Sequence, residues 1–140
     1  MENTIQVDIV SAEGEIFSGA ARVVYLPATE GEVGVYPRHA PLLTLLRPGE
    51  VRVQTGEGEE HSFYVGGGAL EVQPNKVTVL ADTAARARDL DEAAALAARQ
   101  RAQEALAGRL DKISYAEAQA ELARAIAQLK LIQKLRRIHS

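Results

Sequence analysis

The stretch VTVLADTAARARDLDEAAALAA, residues 77–98, marks the point at which this chain changes in character. Residues 1–82 hold 10 of the 11 glycines and all 5 prolines, with 5 Lys+Arg against 12 Asp+Glu. Residues 83–140 hold 17 alanines, one glycine and no proline, with 11 Lys+Arg against 7 Asp+Glu. Because glycine and proline favour turns and alanine favours helix, the sequence predicts two domains: an acidic, turn-rich one (1–82) and a basic, helical one (83–140).

The composition of the whole chain excludes several classes of protein. The net charge of −3 argues against a general nucleic-acid binder. The absence of cysteine excludes disulfides, thiolate zinc sites and cysteine nucleophiles. No apolar run reaches the roughly 18 residues of a membrane-spanning helix, and the first residues have neither the basic nor the apolar segment of a signal peptide.

Short apolar runs separated by turn residues predict strands throughout residues 1–82. Ile5, Val7 and Ile9 alternate with polar residues, as in a strand with one buried face. Seven further runs are of a similar kind: Val23–Leu26, Val33–Val35, Leu42–Leu46, Val51–Thr55, Ser62–Val65, Ala69–Val72 and Val77–Leu80. Short strands at this spacing predict an antiparallel β-sandwich or barrel.

Capping residues predict two helices after residue 83. Asp89 or Asp91 can cap a first helix, and Gly108 supplies the left-handed residue that follows it. Ser114 and Glu117 form a capping box that opens a second helix, which extends to about residue 138. Because the loop between them is short, the helices should be antiparallel neighbours. The predicted fold class is α+β, an N-terminal antiparallel β-sandwich followed by a C-terminal antiparallel two-helix hairpin.

Both predicted helices carry stripes of alanine at helical spacing: Ala95, Ala98, Ala102 and Ala105 on the first, and Ala116, Ala120, Ala123 and Ala127 on the second. Two interpretations remain open. The hairpin is either close-packed and selected for helix propensity, or weak enough to open, because alanines bury little apolar area. The second helix also has two apolar arcs, one of which is predicted to face a partner.

No arrangement of residues predicts a catalytic or metal site. Gly66–Gly68 lacks the Gly-Lys-Ser/Thr of a Walker loop and is interpreted as a turn or bulge. His39, His61 and His139 fall in separate segments without the spacing of metal ligands. No Ser/His/Asp order and no paired carboxylates stand out. The chain is therefore predicted not to be an enzyme.

Two segments suit binding instead of catalysis. Residues 31–42 combine two glycines and two prolines with apolar residues, which predicts a rigid loop. A purely structural role would account for such a loop. Glu32 and His39 also make it a good docking surface. The basic end is either a solvated face or a surface for an acidic protein, nucleic acid or anionic lipid; it comprises Lys130, Lys134, Arg136 and Arg137.

These segments together resemble the epsilon subunit of bacterial F-type ATP synthases, most closely its proteobacterial members. The resemblance covers nearly the whole chain. It is carried, in order and at family spacing, by Val10–Glu13, Glu30–Leu42, Gly66–Pro74, Val77–Asp82, Asp89–Ala93 and Ala120–Leu129. The family form is a β-sandwich followed by a two-helix hairpin.

The resemblance implies a non-catalytic subunit in the central stalk of the proton-translocating ATP synthase, peripheral to the cytoplasmic face of the cell membrane. In the family the sandwich binds the gamma subunit and rests on the c-ring. Glu32 is implied to face the ring and His39 to face gamma. The hairpin folds beside the sandwich or extends into the alpha/beta catalytic head, where it inhibits ATP hydrolysis. Its basic end then suits acidic loops of the beta subunits.

One departure concerns a nucleotide-binding motif, Ile/Leu-Asp-x-x-Arg-Ala, which some family members carry at the start of the first helix. Residues 90–95 match it only in part, because Ala94 stands at the arginine position. Without that guanidinium there is no fork of donors for phosphate oxygens. Leu90 and Asp91 are therefore a degenerate ATP motif, in which Arg99 or Arg101, one or two turns later, would have to replace the missing arginine, and no cofactor is predicted.

Other functions remain open at this point. The chain could be a free-standing nucleotide-sensing or protein-docking module, although the missing arginine opposes nucleotide binding. Nucleic-acid binding by the basic helix is opposed by the acidic sandwich and by the scarcity of aromatic residues. The sequence does not decide whether the hairpin is folded or extended, since both states keep the same helices.

Overall fold

A computed structural model describes residues 3–56, 58–108 and 114–138 of the chain. Glu57, the loop between the predicted helices and His139 lie outside the described residues. The chain divides into two compact units, residues 1–86 and 87–140. They are called here the sheet unit and the helical unit, and each is described by itself.

The sheet unit is a β-sandwich, as predicted. Its described residues form eight strands: β1 (Ile5–Ser11), β2 (Gly14–Ala21), β3 (Val23–Ala28), β4 (Gly31–Val35), β5 (Leu42–Gln54), β6 (Glu60–Gln73), β7 (Lys76–Ala81) and β8 (Ala84–Arg86). The hydrogen-bonded order is β2-β1-β7-β6-β5-β3-β4, and β8 pairs with β6. The pairing is antiparallel except between β1 and β7, which are parallel. The predicted antiparallel β-sandwich is thus confirmed, with one parallel pair that the sequence analysis did not specify.

Strands β5 and β6 form a long hairpin where the sequence predicted four short strands. Pro48 and Gly49 lie within β5, opposite Gly66 and Val65 of β6. The glycines of residues 66–68 allow close backbone approach. A Cβ on Gly68 would lie 2.2 Å from the carbonyl oxygen of Leu80, and its φ of 142° disfavours other residues. The run was predicted to be a turn or bulge, but Gly66, Gly67 and Gly68 all lie within β6, and the pairing with β5 keeps the same register on both sides of them.

The core of the sheet unit consists of the inward-facing residues that the alternation predicted. Ile5, Val7 and Ile9 of β1 are buried, whereas the residues between them are only partly covered. Phe63 is the largest of the fully buried side chains. Each such side chain contributes about 1.5–3 kcal/mol through removal from water. The sheet unit therefore rests on a continuous apolar core.

The sheet extends beyond the predicted domain boundary at Asp82. Strand β8 places Ala84 opposite Val65 and Arg86 opposite Phe63 of β6. Arg86 also donates a hydrogen bond to the carbonyl oxygen of Ile16 (3.4 Å). Because these contacts belong to the sheet, the two units divide after Arg86 and not after Asp82.

The helical unit contains the two predicted helices, α1 (Glu92–Leu106) and α2 (Tyr115–Ile138). Of the two candidate caps for α1, Asp91 is the one used: its carboxylate accepts from the backbone N–H of Ala94. Gly108 follows α1 with φ 78°. The Ser114 hydroxyl accepts from the backbone N–H of Glu117 at 3.2 Å, as the capping box predicted. The predicted hairpin and its caps are confirmed.

The packing face of α2 differs from the predicted one. On α1, Ala95 and Ala102 of the predicted stripe are buried. On α2, Ala116, Ala120 and Ala123 are exposed and Ala127 is half-buried. The buried residues there are Ala118, Ala125, Leu129 and Leu131. Ala118, Ala125 and Leu129 share one face at helical spacing, so this face removes a leucine as well as alanines from water, which stabilises the unit more than an alanine stripe alone.

Candidate functional site

The docking segment, residues 31–42, is a strand followed by an ordered turn. Its first five residues form β4, which lies at one end of the sheet order. In the turn, the backbone N–H of His39 donates to the carbonyl oxygen of Tyr36 (3.1 Å). The backbone N–H of Arg38 donates to the carbonyl oxygen of Pro74 (2.7 Å). Arg38 has a φ of 65°, in the left-handed region. These contacts support the prediction of a rigid segment.

Glu32 is held by an arginine that the sequence did not single out. Arg52 Nη2 on β5 lies 3.3 Å from each carboxylate oxygen of Glu32. The Glu32 side chain is nevertheless 54% exposed. It is therefore oriented by the sheet unit and still accessible to another molecule.

His39 lies in the turn after β4 and is half-buried. Its Nδ1 lies 2.7 Å from the carbonyl oxygen of Ala40. Since a carbonyl oxygen only accepts, Nδ1 must carry the proton, and Nε2 is the ring atom available as an acceptor in the neutral form. The backbone thus fixes both the tautomer and the orientation of the ring.

An exposed apolar face lies on the strands that follow the docking segment; it comprises Leu43, Leu45 and Leu80. Their exposed fractions are 77%, 63% and 56%. Leu45 pairs with Ala69 on β6, and Ala69 pairs with Leu80 on β7, so they form one row across three strands. Leu43 lies two residues from Leu45 and points to the same face. The sequence prediction missed this face because it treated Leu42–Leu46 as one short apolar run and did not separate its buried residues from its exposed ones.

The degenerate nucleotide motif serves as the start of a helix. The Asp91 carboxylate accepts from Ala94 N at 3.2 Å, which satisfies one of the N–H groups left open at the end of α1. Leu90 is half-buried, and its own N–H donates to the carbonyl oxygen of Ala87 (3.2 Å). Capping accounts for Asp91 without a bound nucleotide.

The basic end of α2 is partly engaged within the helical unit. Arg136 Nη2 lies 2.8 Å from a carboxylate oxygen of Glu92, the first residue of α1. Lys130, Arg136 and Arg137 are exposed, and Lys134 is half-buried. Arg136 therefore contributes to the hairpin as well as to the basic surface.

A second ion pair joins the helices at the other end of the hairpin. Arg101 on α1 donates from Nε and Nη2 to the two carboxylate oxygens of Glu121 on α2, at 2.9 and 2.8 Å. The hydrogen bonds and the charge of Glu121 raise the pKa of Arg101 above its ordinary value. Charged pairs thus join the two helices near both of their ends.

Residues 3–56, 58–108 and 114–138 include no group of three or more His, Asp or Glu side chains that could hold a metal ion. In the same part of the chain, no helix combines the length and apolarity needed to cross a membrane.

Two family models together match most of the chain. Residues 4–87 match the beta-sandwich domain of the ATP synthase delta/epsilon chain. Residues 88–133 match the long alpha-helix domain of the same chain. The chain belongs to the ATP synthase delta/epsilon family. The resemblance seen in the sequence is thereby confirmed, and the chain is a non-catalytic subunit of ATP synthase, which is a membrane-bound complex.

Curated members of the delta/epsilon family align over nearly their entire length. The ATP synthase epsilon chain of Nitrosococcus oceani is 66% identical over 137 residues, which cover 98% of both chains. The epsilon chain of Alkalilimnicola ehrlichii is 64% identical over 135 residues, covering 96% of both. Identity of this extent and coverage supports the same class of subunit for the whole chain.

Solved structures of more distant proteins share the fold. A chain of the Euglena gracilis mitochondrial ATP synthase, in a structure of OSCP/F1/c-ring, superposes with a TM-score of 0.70 at 18% identity. The match covers 100% of this chain and 84% of that one. A chain of the Tetrahymena thermophila mitochondrial ATP synthase, in a structure of the central stalk and c-ring, gives 0.62 at 13% identity, covering 91% and 96%.

Proposed function

We propose that the sheet unit docks this subunit on gamma and on the c-ring, and that the helical unit is a movable arm that inhibits ATP hydrolysis at the alpha/beta catalytic head. The observation that carries the proposal is the exposed apolar face of Leu43, Leu45 and Leu80. A row of leucines on a sheet is unfavourable in water and marks an interaction site. We assign gamma as the partner that covers this face, in keeping with membership of the ATP synthase delta/epsilon family.

The docking segment supplies the second part of this interface. Glu32 and His39 are both oriented by contacts within the sheet unit. Groups that are already ordered lose little conformational entropy on binding. We assign Glu32 to the c-ring and His39 to gamma, on the side of the complex that faces the cytoplasm.

The basic end supports a switch of the arm. Arg136 has Glu92 as its partner while the hairpin is folded. When the hairpin opens, the guanidinium loses this carboxylate and can pair with acidic loops of the beta subunits. Lys130, Lys134 and Arg137 add positive charge to the same end. Nucleotide does not enter this proposal, because Asp91 caps α1 and Ala94 offers no side-chain donor.

Docking is tested by replacing two leucines of the exposed apolar face. Burial of one leucine contributes about 1.5–3 kcal/mol, so Leu43→Glu with Leu45→Glu should weaken binding to the remainder of the complex at least about 100-fold. The assay measures rebinding of the full chain to ATP synthase stripped of this subunit. Ala20→Glu adds a single glutamate at an exposed position of β2, outside this face, and is the control for introducing a surface charge. Wild-type affinity of the double variant contradicts the docking role.

Inhibition is tested separately by deleting residues 87–140 in the complex. The proposal expects faster ATP hydrolysis with assembly retained, because the sheet unit keeps the docking contacts. An unchanged rate of hydrolysis contradicts the inhibitory role and leaves the docking role standing.

A further inference from the structure

We infer that Arg52 is a positioning residue for Glu32, whose carboxylate it holds in the orientation that meets the c-ring. The inference rests on the proposed function, in which Glu32 contacts the ring. Arg52 belongs to β5, outside the docking segment, and no motif of the sequence points to it.

Arg52 lies at one end of a row of residues across three adjacent strands. It is opposite Tyr25 of β3, and Tyr25 is opposite Gly34 of β4. Two residues before Gly34 on the same strand, Glu32 points to the same face. Arg52 reaches its carboxylate with Nη2, at 3.3 Å from each oxygen.

The guanidinium is itself fixed from several sides. Its central carbon lies 4.5 Å from the centroid of the Tyr25 ring, the arrangement of a cation–π contact. Nη1 lies 3.6 Å from a carboxylate oxygen of Glu60. The Arg52 side chain is 25% exposed, against 54% for Glu32. The ordered and largely covered guanidinium of Arg52 therefore holds the more exposed carboxylate of Glu32.

The Tyr25 ring that supports Arg52 is also fixed. Its hydroxyl lies 3.2 Å from that of Tyr36 on the adjacent segment. On the other side, a Cβ at position 34 would lie 3.1 Å from the edge of the ring. Gly34 thus allows Tyr25 to lie close against β4. Gly34, Tyr25 and Arg52 form a continuous support under Glu32.

This support matters because Glu32 is a flexible side chain on a strand at the end of the sheet order. Without Arg52 its carboxylate would sample several rotamers, and binding would have to select one of them. Immobilising such a side chain on association weakens affinity by about three- to tenfold. Arginine suits this task because one guanidinium nitrogen contacts both carboxylate oxygens of Glu32 and another faces Glu60, while the face of the group stacks on an aromatic ring.

The experiment titrates full-length variants against ATP synthase stripped of this subunit and measures the concentration for half-maximal rebinding. Arg52→Met keeps an apolar side chain over Tyr25 but removes the guanidinium. It should raise the concentration for half-maximal rebinding about three- to tenfold. Arg52→Lys should restore part of the loss. Glu32→Gln with Arg52→Met should bind as Glu32→Gln alone does, because Arg52 acts only through Glu32.

Lys76→Ala is the matched control. It breaks another ion pair of the sheet unit, between Lys76 Nζ and Asp8 (3.2 Å), and should rebind as the wild type does. Wild-type rebinding by Arg52→Met, or losses that add in the double variant, would overturn the inference. Failure of the wild-type chain itself to rebind would overturn the proposed function, so the two failures are distinct.

Discussion

The sheet unit and the helical unit differ in what holds each together. In the sheet unit, fully buried valine, isoleucine, leucine and phenylalanine side chains form one apolar cluster. Among the described residues of the helical unit, most buried side chains are alanines, and the ion pairs Arg101–Glu121 and Arg136–Glu92, each with an exposed arginine, join the helices. Apolar burial is worth more per residue than an exposed ion pair. This difference predicts that the sheet unit is a rigid docking body and that the helical unit is an arm that can open.

The largest effect should come from the core of the sheet unit. Phe63→Ala removes the largest fully buried side chain and should lower the free energy of unfolding by about 3–5 kcal/mol. Unfolding by denaturant, followed by tyrosine fluorescence, measures this loss of stability. Three of the four tyrosines lie in the sheet unit, and only Tyr115 lies in the helical unit. A loss under 1 kcal/mol would remove the distinction between the two units.

A smaller effect is expected at the cap of α1. Asp91→Ala leaves the N–H of Ala94 without its acceptor and should cost about 1 kcal/mol of helix stability. Faster amide hydrogen exchange in the first turn of α1 is the measurement. Asp89→Ala is the control, because Asp89 precedes the cap. Equal exchange in the two variants would mean that Asp91 does not cap the helix in solution.

Loss of the ion pair between Glu92 and Arg136 should have a smaller effect, on the equilibrium between the folded and the open arm. Glu92→Gln removes the charge that pairs with Arg136, in a contact whose side chains are 62% and 40% exposed. Such a pair contributes at most about 1 kcal/mol, so the open population should rise about fivefold or less. ATP hydrolysis by the assembled complex should fall accordingly, and Glu92→Asp should restore much of it. Hydrolysis that rises in Glu92→Gln contradicts the proposed switch.

The smallest effect concerns acid stability of the sheet unit. Hydrogen bonds from Gln6 and Ser18, aided by Lys76, hold the pKa of Asp8 below its ordinary value of 3.8. A lowered pKa in the folded state stabilises the fold above the unfolded pKa, and this contribution is lost as pH falls through the folded pKa. Asp8→Asn should therefore reduce stability slightly at neutral pH and flatten its decline below about pH 4. An unchanged acid profile would show that Asp8 is not coupled to folding.

Much of the fold could be predicted because local patterns agreed with it. The alternation of Ile5, Val7 and Ile9 predicted a strand with one buried face, and Ser114 with Glu117 predicted the start of α2. Strand β2 was missed because its apolar residues, Ile16 and Phe17, are adjacent and do not alternate. The continuity of β5 was missed because Pro48 and Gly49 usually interrupt strands, and only the pairing with β6 overrides that tendency.

The candidate site was harder to predict, because its features depend on which face of a strand is covered. The sequence pointed to Glu32 and His39 through the resemblance, but not to Arg52, which lies far along the chain from Glu32. Leu43 and Leu45 were predicted only as part of a short apolar strand, since composition alone does not separate a buried leucine from an exposed one. The register of the paired strands was needed to bring Arg52 near Glu32 and to place Leu43 and Leu45 on the exposed face.

The position of β4 at the end of the sheet order gives Glu32 a role before any complex forms. Backbone groups at the rim of a sheet can recruit a strand from another chain, and a charged side chain there discourages such pairing. Glu32 lies in the interior of β4, which is only five residues long. We therefore expect the residue proposed to meet the c-ring to disfavour pairing of β4 with a strand of another, unassembled subunit.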